Sequence, residues 1–250
     1  MSTPFAEAPA GAGLAGNSQE ARRALRGFDA GVAIFLGGVA AITVTDVVVI
    51  WFFHRLRGAV DRYGWGNVPV EEIPPFEFFD RWGLAIDWAA VAIYGVGFLV
   101  AMWSARRLAE AVGIRSWEYR WVWTVVTIFI PIACLFRPWL GFAEIRRAIF
   151  ACVATGRPSR GEGFSAFTLI LGLVTFVCWG IIKVASAAAD QVAEPSSAAE
   201  FYSHVDRATH LLLTIAAAQG GLLATLLAYL LTLRRKAGLL ANRIDLDAFD

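Results

Sequence analysis

Charge is what this 250-residue sequence has least of: Asp, Glu, Lys and Arg together make up 17% of it, against about a quarter in an average globular chain. A water-facing domain needs that charge on its surface, so the shortfall excludes the ordinary soluble case and points to lipid. The 22 basic and 21 acidic residues leave a net charge of +1, which removes the broad electrostatic basis for binding nucleic acid. Cysteine is equally sparse. Cys134, Cys152 and Cys178 share no CxxC or CxxH spacing and sit in or beside apolar stretches, so they read as small buried hydrophobes rather than a disulfide framework or zinc site. The three histidines, His54, His204 and His210, include no H-E-x-x-H, and the gap between the last two does not put both rings on one helical face. No metal or cofactor is expected. Gly161-Glu162-Gly163 lacks the Lys-Ser/Thr of a phosphate loop, and no Ser, His and Asp are placed as a nucleophile with its base, so the sequence does not read as an enzyme. Lysine occurs only at 183 and 236, a bias typical of GC-rich bacterial coding.

What the sequence has instead is apolar length: 58% hydrophobic residues and a mean hydropathy of +0.58. A bilayer core about 30 Å thick needs roughly 20 apolar residues as helix, because the backbone must satisfy its own hydrogen bonds there. Four stretches qualify, at about 29–54, 84–105, 164–187 and 209–233. Residues 1–27 precede them as a flexible tail rich in Ala, Gly, Pro and Ser, and 236–250 follow as a short second tail. The first basic cluster, Arg22, Arg23 and Arg26, comes late and precedes an apolar run too long for a cleavable signal. A fifth stretch, 119–136, is shorter and interrupted by Pro131. Beyond Arg137-Pro138, residues 139–151 interleave Trp139, Phe142 and Phe150 with Glu144, Arg146 and Arg147, as in a helix lying in the interface.

Basic residues decide how 119–151 is used, because short cytoplasmic loops accumulate Lys and Arg. Five full spans with the N-terminus inside would place eight basic residues inside and thirteen outside, against the rule. If 119–151 instead enters and returns, or lies along the surface, sixteen fall inside and five outside, with Lys183 in a span. The expected fold is therefore an all-α polytopic inner-membrane bundle: four transmembrane helices, a Pro-broken re-entrant or interfacial element at 119–151, and both termini cytoplasmic.

Within that element, Trp121-x-Trp123, Phe129-Ile130-Pro131-Ile132, Leu135-Phe136-Arg137-Pro138 and Glu144-Ile145-x-Arg147 follow one another. This string resembles the central signature of an uncharacterised bacterial membrane family, domain-of-unknown-function family 4328. The resemblance covers roughly 85–235. Cys134 stands where members often carry a polar Asn. The resemblance implies membrane class and architecture, and no chemistry.

Ionisable residues inside spans are costly unless paired or hydrated, and so are functional candidates. Asp46 lies eight residues before His54 and Lys183 seven before Asp190. At about 1.5 Å per residue both sit roughly 10–12 Å below their outer flanking charges, a depth at which an ion pair would form. It would serve as a relay or counter-charge, or only fix helix register. Asp87 joins that cluster or is hydrated at the outer edge. Thr43 and Thr45 are expected to bond their own helix carbonyls. Glu200/His204 and Asp206/His210 are i,i+4 pairs if 198–212 is helical.

Ala216, Gly220, Ala224 and Ala228 make a small-residue stripe for close helix approach, inside the chain or between copies, with Gln219 beside it for an interhelical hydrogen bond. Pro131 and Pro138 prevent a straight helix, and Arg137 would bond freed carbonyls, pair with Glu144 or hold a lipid phosphate. The aromatic, proline-braced 55–83 loop reads as a lid over the bundle mouth, a partner site or a segment packed on the membrane surface. Trp51, Trp82, Trp103, Trp121 and Trp179 mark interface belts. The expected partners are membrane lipids and either another protein or a second copy of the chain. Taken together, these features favour a non-enzymatic scaffold, sensor or interaction module of the bacterial envelope. The rival is a small transporter or channel built on Asp46 and Lys183, and an intramembrane enzyme ranks third.

Overall fold

Long runs of Ala, Leu, Val, Ile and Phe with no interior proline have one way to satisfy their backbone without water, and they form helices of unusual length. The computed structural model describes residues 18–73, 76–115, 117–126, 128, 137–159, 166–189 and 197–247. Among these residues the structure is all helical: α1 (Ser18–Tyr63), a 3₁₀ turn (Val70–Glu72), α2 (Phe76–Ala111), α3 (Trp121–Val126), α4 (Arg137–Thr155), α5 (Ala166–Ala189) and α6 (Ala198–Asp247).

Three helical stretches, Ser18–Tyr63, Arg81–Ala111 and Ala198–Ile244, are long and apolar enough to cross a membrane. Less than a quarter of each apolar window is buried within the protein. Val44, Val47, Trp88, Val96 and Leu213 are among the apolar side chains left exposed there. Exposed apolar surface on this scale is the signature of a protein whose surroundings are themselves apolar.

The chain divides into two compact units. The first comprises residues 1–32, 98–172 and 228–250. Its core follows helical periodicity. Ala101, Met102, Ala105 and Leu108 line one face of α2; Phe142, Ile145, Ile149 and Cys152 line α4; Tyr229, Leu233, Ala237 and Leu240 line α6. α1 contributes Ala21, Ala24 and Phe28, and Arg234 of α6 donates two hydrogen bonds to the Asp29 carboxylate, the longer at 3.0 Å.

α2 stops in a Schellman arrangement: Gly113 N–H donates to Glu110 O at 3.0 Å and Ile114 N–H to Ala109 O at 3.1 Å, with Gly113 at φ +101. A Cβ on Gly113 would lie 3.6 Å from Pro158 Cγ, so the end of α2 and the turn after α4 are neighbours. Arg243 of α6 donates to Val153 O at 2.6 Å, satisfying a carbonyl that the end of α4 leaves open.

The second unit comprises 33–97 and 173–227. Val60, Phe201 and Val205 form a small core in it, flanked by Phe53, Leu56 and Val68. Trp65 packs on Phe201 at 4.6 Å. Tyr202 donates to Asp61 at 2.8 Å, Arg57 pairs with Asp206, and Glu72 holds Arg62 at 3.3 Å and Arg55 at 3.8 Å.

Several expectations need correcting. Both tails are partly helix: α1 begins at Ser18 and α6 continues to Asp247. The reason is a helical repeat of small and apolar side chains, Ala21, Ala24 and Phe28 at one end and Ala237, Leu240, Ala241 and Ile244 at the other, all buried. Pro138 stands at the start of α4, and residues 129–136 before it, Pro131 included, lie outside the described ones. Pro138 sits buried in the first turn of α4, where its missing N–H has no helical acceptor in any case. In the 55–83 loop, residues 55–63 belong to α1, and Trp65 packs on Phe201. The small stripe of α6 is not packed inside the chain: Gly220, Ala224 and Ala228 are exposed.

Candidate functional site

The first unit holds a polar constellation in which Glu144 is central. α4 presents apolar side chains to the core at 142, 145, 149 and 152, and Glu144 falls beside that face, only 4% exposed. A buried carboxylate must be matched by donors. Here both oxygens are: Glu118 N–H donates to Oε1 at 2.7 Å and Tyr119 N–H to Oε2 at 3.1 Å. The connector between α2 and α3 is thereby pinned to α4.

The same connector is held from the other side by α2. Arg106, 13% exposed, donates to Tyr119 O at 3.2 Å and to Glu110 Oε1 at 3.0 Å, and its guanidinium lies 4.7 Å from the Trp117 ring centroid. Trp117 Nε1–H donates to the same Glu110 oxygen at 3.1 Å. Tyr229 of α6, fully buried, donates to Phe142 O at 3.0 Å. Thr124 of α3 sits against Gly141 of α4. Chemically this set is a clamp: each buried charge meets hydrogen-bonding groups of the chain itself.

Around the clamp lie cations. Arg107 stacks on Trp103 at 5.1 Å, and Arg146 and Lys236 approach the Phe150 ring at 4.5 and 5.5 Å. Arg115 and Arg120 are exposed. In sequence terms the first unit carries sixteen Lys and Arg against ten Asp and Glu, and the second six against eleven. Cys152, fully buried behind α4, donates to Ser159 O at 3.5 Å and accepts from Ser159 N–H at 3.4 Å. Burial pushes its thiol pKa up, a shift that the Ser159 N–H partly offsets.

In the second unit Asp46 is half-buried on α1, and Asp87 is exposed on α2, near enough for its charge to act on the Asp46 carboxylate. Lys183 belongs to α5, but its side chain lies outside the described residues, as do Pro131, Cys134 and the side chain of Arg137. Gln219 is half-buried on α6, and its Oε1 has no hydrogen-bond partner among the described residues. Thr43 and Thr45 donate to Val39 O and Ala41 O, as expected. Asp206 pairs with Arg57.

The structure thus brings Asp87 to Asp46 and gives Glu144 two backbone partners. Arg106, Glu110, Trp117 and Tyr229 were not singled out from sequence. The i,i+4 spacing of Arg106 and Glu110 was the available signal; the backbone partners of Glu144 left none. No family model, no curated protein and no solved structure matches the chain.

Proposed function

We propose that this chain is a non-enzymatic interaction or scaffold module of the bacterial inner membrane, with the clamped, arginine-rich first unit as its working face on the cytoplasmic side. The carrying observation is the coincidence of two independent partitions. All sixteen basic residues assigned to the inside by charge placement belong to the first unit. The positive-inside rule then assigns that unit, with both chain ends, to the cytoplasm.

Four spans, with α5 as the third, follow from the same reading. α5 has 24 residues, about 36 Å of helix. The neighbouring positions of Gly113 and Pro158 support a 119–151 element that returns to the side it left. Membership of domain-of-unknown-function family 4328, inferred from the Trp121 to Arg147 string, belongs to this proposal. The polar groups of the clamp bond to one another, to the backbone and to the Trp117 indole N–H, which favours a structural role for them over a catalytic one.

The Asp46–Asp87 proximity favours one second reading, a small transporter or channel. Flux measurements on proteoliposomes separate the two. A scaffold gives no proton, sodium or potassium flux above empty vesicles. Flux that is present in the wild type and lost in Asp46→Asn would replace the scaffold by the transporter.

A further inference from the structure

α1 and α6, helices of 46 and 50 residues, are tied to each other by charge at two places. In the first unit Arg234 of α6 donates two hydrogen bonds to Asp29 of α1, the longer at 3.0 Å. In the second unit Arg57 of α1 pairs with Asp206 of α6, and four residues further along both helices Tyr202 donates to Asp61 at 2.8 Å. Asp29 and Arg57 stand 28 residues apart on α1, and Asp206 and Arg234 stand 28 apart on α6. The two helices therefore run antiparallel in one register, with acid and base exchanged between them from one pair to the other. Gly238 belongs to the same fitting: a Cβ there would fall 2.9 Å from Arg234 Nη1, so the bare backbone leaves the guanidinium its place.

The apolar faces of these helices do not by themselves set that register. On α1 the buried Phe28, Gly31, Phe35, Gly38 and Ile42 alternate spacings of three and four, the heptad repeat of supercoiled helices. On α6 Leu226, Leu233 and Leu240, seven residues apart, are all buried. A slide of seven residues, about 10.5 Å, puts Phe35 where Phe28 stood, Gly38 where Gly31 stood and one leucine of α6 where another stood, so packing separates the two arrangements only weakly. The charges separate them sharply. After such a slide Asp29 would face Leu227 or Ala241 in place of Arg234, and Arg57 would face Ala199 or Leu213 in place of Asp206. The acids of α1 are Glu20, Asp29, Asp46 and Asp61, so Arg234 meets another carboxylate only after a slide of nine residues, which sets Arg57 against Ser197. The charged neighbours along the chain, Arg26, Arg207, His210 and Arg235, offer no carboxylate.

We infer that these two ion pairs are a register lock: α1 and α6 tilt or turn together, and sliding of one along the other is closed to this chain. Fixing register is a well-attested use of charged and polar groups beside an apolar seam, and sliding by whole turns is one of the ways helices carry a conformational change. Along the helix the two pairs are about 42 Å apart, which matches a bilayer with its headgroups, about 40–45 Å, so one pair lies at each surface. The lock itself stands on the contacts; only those membrane levels rest on the membrane reading.

The test reads register by disulfide formation in the full chain, reconstituted in lipid vesicles in a cysteine-free background. Val32→Cys with Leu231→Cys, three residues along from Asp29 and Arg234 on both helices, reports the present register, and Val32→Cys with Ala224→Cys reports a slide of seven. Wild-type charges are expected to give the first disulfide and little of the second. Asp29→Arg/Arg57→Asp makes both pairs repulsive and should lower the ratio of first to second roughly tenfold, the scale of two half-exposed ion pairs. Adding Asp206→Arg/Arg234→Asp restores both attractions with the partners exchanged and should recover the ratio.

An unchanged ratio in Asp29→Arg/Arg57→Asp, or a loss that the four-residue exchange does not recover, overturns the lock. If the two-residue variant does not fold, the four-residue exchange decides: folding with the first disulfide supports the lock, and failure to fold overturns it. Release of the wild-type chain from vesicles by alkaline carbonate would instead remove the membrane reading, and the same disulfides would still decide the lock.

Discussion

Glu144 shows how one side chain sets a local structure. Its carboxylate is buried with two backbone N–H donors, and each charge-assisted bond contributes about 1.5–3 kcal/mol. Glu144→Ala strands both donors and is expected to destabilise the protein by about 3 kcal/mol, whereas Glu144→Gln keeps one acceptor oxygen and should lose roughly half as much. Thermal unfolding in detergent micelles checks the order, and equal midpoints for the two variants would remove the two-donor account. Cys152 gives a second test at this scale. Its thiol pKa is raised by burial, so the folded state holds the proton more firmly than the unfolded chain. The resulting stabilisation is complete below the unfolded thiol pKa of about 8.5 and is lost as pH rises through that value toward the folded one. In a Cys134→Ser/Cys178→Ser background, labelling of Cys152 at about that pH should be slow and should accelerate with denaturant. Labelling as fast as that of a free thiol would show that Cys152 is open to solvent in the folded chain.

At the scale of elements, two glycines set how closely helices pack, and they differ in what could compensate for their loss. A Cβ on Gly141 of α4 would fall 2.6 Å from Thr124 Oγ1 and 2.9 Å from its Cγ2, both side-chain atoms of α3. Gly141→Ala should therefore destabilise by about 1–3 kcal/mol, and adding Thr124→Ala should recover part of that loss, since it removes the two closest atoms and leaves the Thr124 Cβ at 3.3 Å. Gly38 of α1 faces the backbone of α2, with Tyr94 N at 2.5 Å and Cα at 2.9 Å from the same construction. No trimming of Tyr94 removes those atoms, so Gly38→Ala should be as harmful with Tyr94→Ala as without it. A double-mutant cycle on each pair, read by thermal unfolding, is expected to show coupling for 141 with 124 and none that rescues 38. Recovery of Gly38→Ala by Tyr94→Ala would mean that α1 and α2 do not approach by their backbones.

At the scale of the molecule, apolar length and the placement of arginine were legible, because a helix in lipid has to be long and its flanking charges face a rule that acts residue by residue. The ends of α1 and α6 were harder to read. Short alternations such as Ala21, Ala24 and Phe28 carry little hydropathy and become core only through partners distant in sequence. The clamp was least legible, since Glu144 finds its donors on the backbone at 118 and 119, where residue identity leaves no trace. The proposed use of 119–151 rests on two observations. Charge placement argues for both of its flanks on one side, and the structure sets Gly113 beside Pro158. Flanks that lie together favour, under that proposal, a return to one face of a bilayer about 30 Å thick. In a cysteine-free background, single cysteines at Arg115 and Arg157, both exposed, should react with a membrane-impermeant maleimide only after the cytoplasmic face is opened, as should a cysteine placed near Arg235. A cysteine at Asp61 should react in intact spheroplasts. Reaction of the 115 and 157 positions from opposite sides would turn the broken element into a fifth span and reverse the side assigned to everything that follows it.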